Sequence, residues 1–174
     1  MSEQNKAAIV IFQMQHDEFL YLCKEYVLVD GIEKTDFKKV WDDFIGAHGF
    51  EMNKKYGKYP YCGMVVYHNN NEHLTYCPGT IVEGMDKAPE GFKLMKFPAR
   101  EYLVVTHEWV SDPDRIVGED GIGQCYKYQQ TVEIPDGYVR YDQPGSQIVL
   151  VEAENANTPD GSRWEYWVPI KRSK

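Results

Sequence analysis

The chain has 174 residues, of which 43% are hydrophobic and 26% charged, enough to bury a core in a single domain and too apolar for a disordered chain. Its formal net charge of −8 repels a phosphate backbone, and with no basic stripe to offset it, direct nucleic-acid binding is not expected. No apolar run is long enough to span a bilayer, the opening MSEQNK lacks the apolar centre of a secretory signal, and Cys23, Cys62, Cys77 and Cys125 are too scattered for a metal pair, so a cytoplasmic protein with free thiols is expected.

Ala7 to Phe12 and Phe19 to Val29 read as strand, either separate or as one strand with a bend. After the Asp30-Gly31 break, Thr35 is a plausible N-cap for a helix over Asp36 to Ala47, with Phe37, Val40, Trp41, Phe44 and Ile45 along one side. Gly46 and Gly49 end that helix and a loop follows. Tyr61 to His68 and Leu74 to Glu83 form a hairpin about the Asn69-Asn70-Asn71 turn. A polar crossover, Gly84 to Gly91, leads to a strand in which Tyr102, Val104 and Thr106 alternate with Leu103, Val105 and His107. Ser111-Asp112-Pro113 has the form of a helix start, and the firm part of that helix is Ile122 to Val132. Gln147 to Glu154 and Trp164 to Ile170 are the closing strands, joined by a polar turn.

The order strand, helix, strand, strand thus occurs twice, over about 7–86 and 92–172, within one domain. The expectation is an α+β fold, an antiparallel sheet with two helices on one face and a groove between the halves. Thirteen Tyr, seven Phe and four Trp are more rings than so small a core easily holds, so some should line that groove.

Two carboxylates stand out. Glu152 projects to the same side as Ile148 and Leu150 in an apolar strand, and Glu165 shares a face with Trp167. A buried, unpaired carboxylate has a raised pKa that a bound cation reverses, and a neighbouring indole adds cation–π attraction. The five histidines show no metal-ligand spacing, His107 is more plausibly a surface or satisfied core residue than an acid/base, and neither a serine elbow nor a dinucleotide fingerprint is present. No metal or cofactor is expected.

Several segments carry a family likeness: Phe37-Lys38-Lys39-Val40-Trp41-Asp42-Asp43-Phe44, Tyr56-Gly57, Leu74-Thr75-Tyr76-Cys77-Pro78-Gly79, the run from Phe97 to His107, and Glu165-Tyr166-Trp167-Val168-Pro169-Ile170. In their order and spacing they resemble the GyrI-like small-molecule-binding family, the effector-binding domain of AraC-type and MerR-type bacterial regulators. The resemblance implies tandem pseudo-twofold βαββ units of the SHS2-like kind and a central cleft whose aromatics and acid receive lipophilic cations. The family commonly has its Glu in the strand matching Gln147 to Glu154, with an aromatic two places later. Here Leu150 stands at the Glu position and Glu152 at the aromatic one, so Glu152 would supply the charge from further along the same face.

The expected lining is Trp41, Tyr67, Tyr102, Trp109, Tyr126, Glu152, Tyr166 and Trp167, with Glu165 as the alternative acid. The ligand is expected to be small, apolar and cationic, taken up by a sensor or drug-binding module. By the same resemblance, the alternatives are a hydrolase of cyclopropane-containing genotoxins using Glu152 or Glu165, or an inhibitor that binds another protein. With no helix-turn-helix before Ala7, a regulatory role would use a DNA-binding or other protein partner.

Overall fold

The computed structural model describes residues 7–58, 63–69, 73–112, 121–142 and 147–174. The fold is mixed α+β, with ten antiparallel-paired strands among the described residues in one curled sheet and helices against it. The first half supplies β2 (Phe19–Cys23), α1 (Phe37–Gly46), β4 (Gly63–Asn69) and β5 (His73–Val82), and the second β7 (Arg100–His107), α3 (Ile122–Thr131), β9 (Leu150–Thr158) and β10 (Gly161–Arg172). With β1 (Ile9–His16) and β6 (Lys93–Phe97) at the edges, the order is β1-β7-β10-β9-β4-β5-β2-β6. The short β3 (Tyr26–Leu28) and β8 (Tyr138–Arg140) pair outside that path, with β5 and β10 respectively.

This order is palindromic about the β4–β9 contact. Taking the Val65–Val151 pair as the pseudo-dyad, β4 exchanges with β9, β5 with β10 and β2 with β7. The edges cross over: β1, which precedes the first repeat, pairs with β7 of the second, and β6, which precedes the second, pairs with β2 of the first. Each half therefore completes the other's sheet.

Both faces of the sheet are apolar. On one, Phe19, Tyr21 and Phe97 from one end share a core with Tyr102, Val104, Val151 and Trp167, because the curl brings these strands over one another. On the other, Leu103, Val105 and Val168 pack against Cys125 of α3, while Val66 and Tyr76 pack against Phe37, Val40 and Trp41 of α1.

The structure alters three local expectations. Asp36, not Thr35, caps α1, its carboxylate accepting from Lys39 N–H at 3.1 Å, while the Thr35 hydroxyl donates to the Gly31 carbonyl at 2.7 Å. The expected loop after Gly49 is instead a helix, α2 (Gly49–Tyr56). Gly49 is there for clearance, since a Cβ would lie 2.3 Å from the Phe44 ring. Asn53 anchors α2 to the sheet, donating to the Gly79 carbonyl at 3.2 Å. Ile148 falls on the opposite side from Glu152, in the core with Val151, because the chain before β9 is irregular, with Gln147 at φ 68°. The helix start expected at Pro113 lies outside the described residues. Among the described residues no helix is long and apolar enough to cross a membrane.

Candidate functional site: an aromatic cavity around Glu152

A cavity of about 820 Å³ opens between α1, α3 and the helix-covered face of the sheet. Its size suits a drug-sized ligand. The two halves furnish its walls in matched pairs. Phe37 and Ile122 are the first residues of α1 and α3, Trp41 and Tyr126 the fifth, and all four line it. From the sheet come Tyr76 and Tyr166, which the pseudo-dyad relates, and the related pair Val66 and Glu152. Each of these tyrosines meets a helix ring, from different helix positions: Phe37 meets Tyr76 edge-on with centroids 4.9 Å apart, and Tyr126 meets Tyr166 at 5.8 Å. Trp41 is fixed from behind by α2, stacking on Phe50 at 5.8 Å. Among these sheet pairs the charge is one-sided, since the second half offers an acid where the first has a valine.

Glu152 is held by the two related tyrosines. Tyr166 donates its hydroxyl to Oε1 at 2.6 Å, and Tyr76 donates to Oε2 at 3.4 Å. Among the described residues no Lys or Arg pairs with this carboxylate, and the surface it keeps is cavity surface. Burial raises its pKa above the ordinary value, and the two phenolic hydrogen bonds oppose the rise without cancelling it. Both phenols are themselves pushed up, first by burial and then by the carboxylate's charge, so they remain donors. Such a group lacks one thing, a positive charge in front of it.

Of the expected lining residues, Trp41, Tyr126, Glu152 and Tyr166 come together here. The Tyr67 side chain lies outside the described residues. Tyr102 and Trp167 are in the core on the opposite face, their rings 5.7 Å apart, because alternation turns them away from Leu103 and Tyr166. Glu165 is on that face too. It is 4% exposed and accepts from Trp167 Nε1 at 2.8 Å and from Arg163 Nη2 at 2.6 Å. It already has its cation. Trp109 lies outside the cavity, with the Arg163 guanidinium 4.2 Å above its ring.

Tyr76, Phe37, Trp164, Gln129 and Arg140 also line the cavity and were not singled out from the sequence. A signal existed for the first two, since Phe37 shares the Trp41 stripe and Tyr76 alternates in step with Leu74 on the strand that mirrors β10. Arg140 sits on a three-residue strand with no periodicity to read.

A second cavity, of about 540 Å³, lies by the turn between β1 and β2. Two of its acids are matched, Glu18 by Lys96 at 2.8 Å and Glu83 by Lys58 at 2.5 Å. Both acids are more than half exposed, so water screens them more than it screens Glu152.

The sequence pattern of the family described as "Cass2: Integron-associated effector binding protein" matches residues 16–170. Comparison with curated proteins gives no match. Among solved structures, SAV2435 bound to tetraphenylphosphonium is similar with a TM-score of 0.62 and 9% identity, over 93% of this chain and 94% of that one. The integron cassette protein VCH_CASS2 from the mobile metagenome of Vibrio cholerae gives 0.55 at 9% identity, over 92% and 95%. EcmrR in a complex with DNA gives 0.52 at 15%, over 95% of this chain but 58% of that one. At these identities the likeness is one of fold.

Proposed function

The chain belongs to the family of Cass2-type integron-associated effector-binding proteins, and from that premise we propose that its cavity takes up an apolar organic cation, as a sensor or drug-binding module. One observation carries the reading: a partly buried carboxylate, hydrogen-bonded among the described residues by two tyrosine hydroxyls and paired with no Lys or Arg there, in an aromatic wall. A lipophilic cation gives up little hydration on entering, gains the carboxylate's full attraction, and meets ring faces that add about 0.5–2 kcal/mol each. Small inorganic cations give up far more hydration and find no ligand cluster; among the described residues no group of three acids, histidines or cysteines could hold a metal ion. That SAV2435 is bound to tetraphenylphosphonium on a similar fold makes this ion the natural first probe.

Trp41 and Trp164 line the cavity, so their fluorescence reports occupancy. Titration with tetraphenylphosphonium is expected to quench the emission to saturation at one ion per chain. Triphenylphosphine oxide, neutral and similarly ringed, should bind at least tenfold more weakly. Equal binding of the two would remove the cation from the reading. Hydrolysis is tested separately by incubating the chain with a cyclopropane-containing alkylating compound and weighing the products by mass spectrometry; an unchanged mass fits binding alone, and a gain of water by ring opening would assign hydrolysis to the cavity instead.

A further inference from the structure

The cavity has a second polar end. Arg140 lines it, on β8 and beside α3, and is 27% exposed. Its guanidinium is held on three sides: Nη1 donates to the Gln129 carbonyl at 2.7 Å, Nη2 to Gln129 Oε1 at 2.6 Å, and Nε to Asp142 Oδ2. Gln129 is itself buried, at 4% exposure, so the fork is fixed in place. A guanidinium has five N–H groups. Three are used, which leaves one on each Nη without a partner among the described residues, on a side chain that borders the cavity.

The sheet register sets the distance between the two ends. Glu152 pairs with Tyr166 on one side of β10, and Arg140 pairs with Ile170 on the other. Four residues of strand amount to about 13 Å along β10. A compact cation at Glu152 does not cover that length.

We propose that Arg140, set by Gln129, is a specificity-determining residue, and that the ligand is an elongated cation with a neutral hydrogen-bond acceptor, such as an amide or ketone oxygen, at the end remote from Glu152. The inference rests on the reading of Glu152 as the cation's partner and extends it. Neutrality of the acceptor follows from the charges that face it. Asp142 cancels Arg140, while Glu152 in the wall and the exposed Glu33 at the cavity rim are unmatched by any cation that lines the cavity. This end offers directed N–H donors with no net positive charge, so a carboxylate would gain the hydrogen bonds and lose them to repulsion. A merely structural arginine would tie α3 to β8, which its two bonds to Gln129 already do, and would not discriminate between ligands.

The test uses three rigid probes on the full chain: 4-phenylbenzyltrimethylammonium, its 4′-acetamido derivative and its 4′-carboxylate derivative, measured by isothermal titration calorimetry. Wild type is expected to bind the acetamide about tenfold more tightly than the parent, the low end for hydrogen bonds to a charged donor because Asp142 shares the charge. The carboxylate should bind no better than the parent. In Arg140→Met the ratio of acetamide to parent affinity should fall to about one, with circular dichroism checking the fold; Arg140→Lys replaces it if the methionine variant unfolds. Equal affinities of acetamide and parent in wild type overturn this inference and leave the cation reading standing. A preference for the carboxylate overturns the neutral acceptor. Binding of none of the three, nor of tetraphenylphosphonium, overturns the cation reading and this inference with it.

Discussion

Replacing Glu152 by Gln changes the cavity's charge and almost nothing else. The amide oxygen can still accept from Tyr166, and the amide nitrogen can donate to the Tyr76 hydroxyl, so both tyrosines keep a partner. A unit charge about 5 Å from the carboxylate at an effective dielectric of about 20 is attracted by about 3 kcal/mol. The carboxylate is only partly exposed before the ligand arrives, so its remaining desolvation offsets part of this attraction, and about 2 kcal/mol should survive as binding energy. The expected loss for tetraphenylphosphonium at pH 8 is therefore roughly 30-fold, and for triphenylphosphine oxide under about threefold. The pH dependence has a defined sign. Burial raises the folded-state pKa of Glu152 above its ordinary 4.5, and a bound cation favours the ionised form, so wild-type affinity should climb with pH through that raised pKa and binding should release a proton. The variant's affinity should be flat over the same range. Calorimetry from pH 5 to 8 in buffers of different ionisation enthalpy measures both. Equal cation affinity in wild type and variant, or the same pH slope in each, would refute the electrostatic reasoning.

Glu165→Ala should behave in the opposite way, leaving the pH slope of cation binding in place while costing about 2–3 kcal/mol of stability, because it leaves the partly exposed Arg163 without this carboxylate; urea unfolding reads the loss. Gly79→Ala would set a Cβ 2.1 Å from the Leu22 carbonyl oxygen, backbone against backbone between β2 and β5, and should destabilise the protein by about 3 kcal/mol or more in the same assay. His107 is buried and neutral, its Nδ1 donating to the Glu108 carbonyl and its Nε2 accepting from Trp164 N–H. Burial depresses its pKa below the ordinary 6.5, so the unfolded chain takes up a proton first and stability should drop as pH falls below 6.5 towards the folded value. Comparing urea midpoints at pH 7.5 and 5.5 should show a smaller drop in His107→Asn than in wild type.

The duplicated βαββ order was legible because its apolar runs are separated by Gly, Pro and Asn turn signals and its α1 stripe has a clear helical period. Glu152 and Tyr166 could be placed on one surface because a strand's side chains follow a period of two. That same rule already set Glu165 and Trp167 against Tyr166, and Tyr102 against Leu103. What sequence alone did not supply was which face is the cavity. In a flat sheet one face is wet, but this one curls and buries both, so aromatic residues on either side looked equally suited to a lining. Glu165 looked unpaired for a related reason, since Arg163 lies two residues away on the same strand face and only the fold excludes water around the pair. The α2 helix was hidden by Gly49, which reads as a terminator until Phe44 is seen beneath it. Arg140 enters the cavity through the β8–β10 pairing, a contact between residues 30 apart in sequence that no local pattern encodes.

The most direct measurement is a crystal structure of the chain with tetraphenylphosphonium. The phosphorus should lie within about 6 Å of the Glu152 carboxylate, close enough for the charge to be felt at several kcal/mol, with phenyl rings against Trp41, Tyr126 and Tyr166. An ion bound instead beside His16 and Glu18, or a cavity left empty at saturating ligand, would contradict the account.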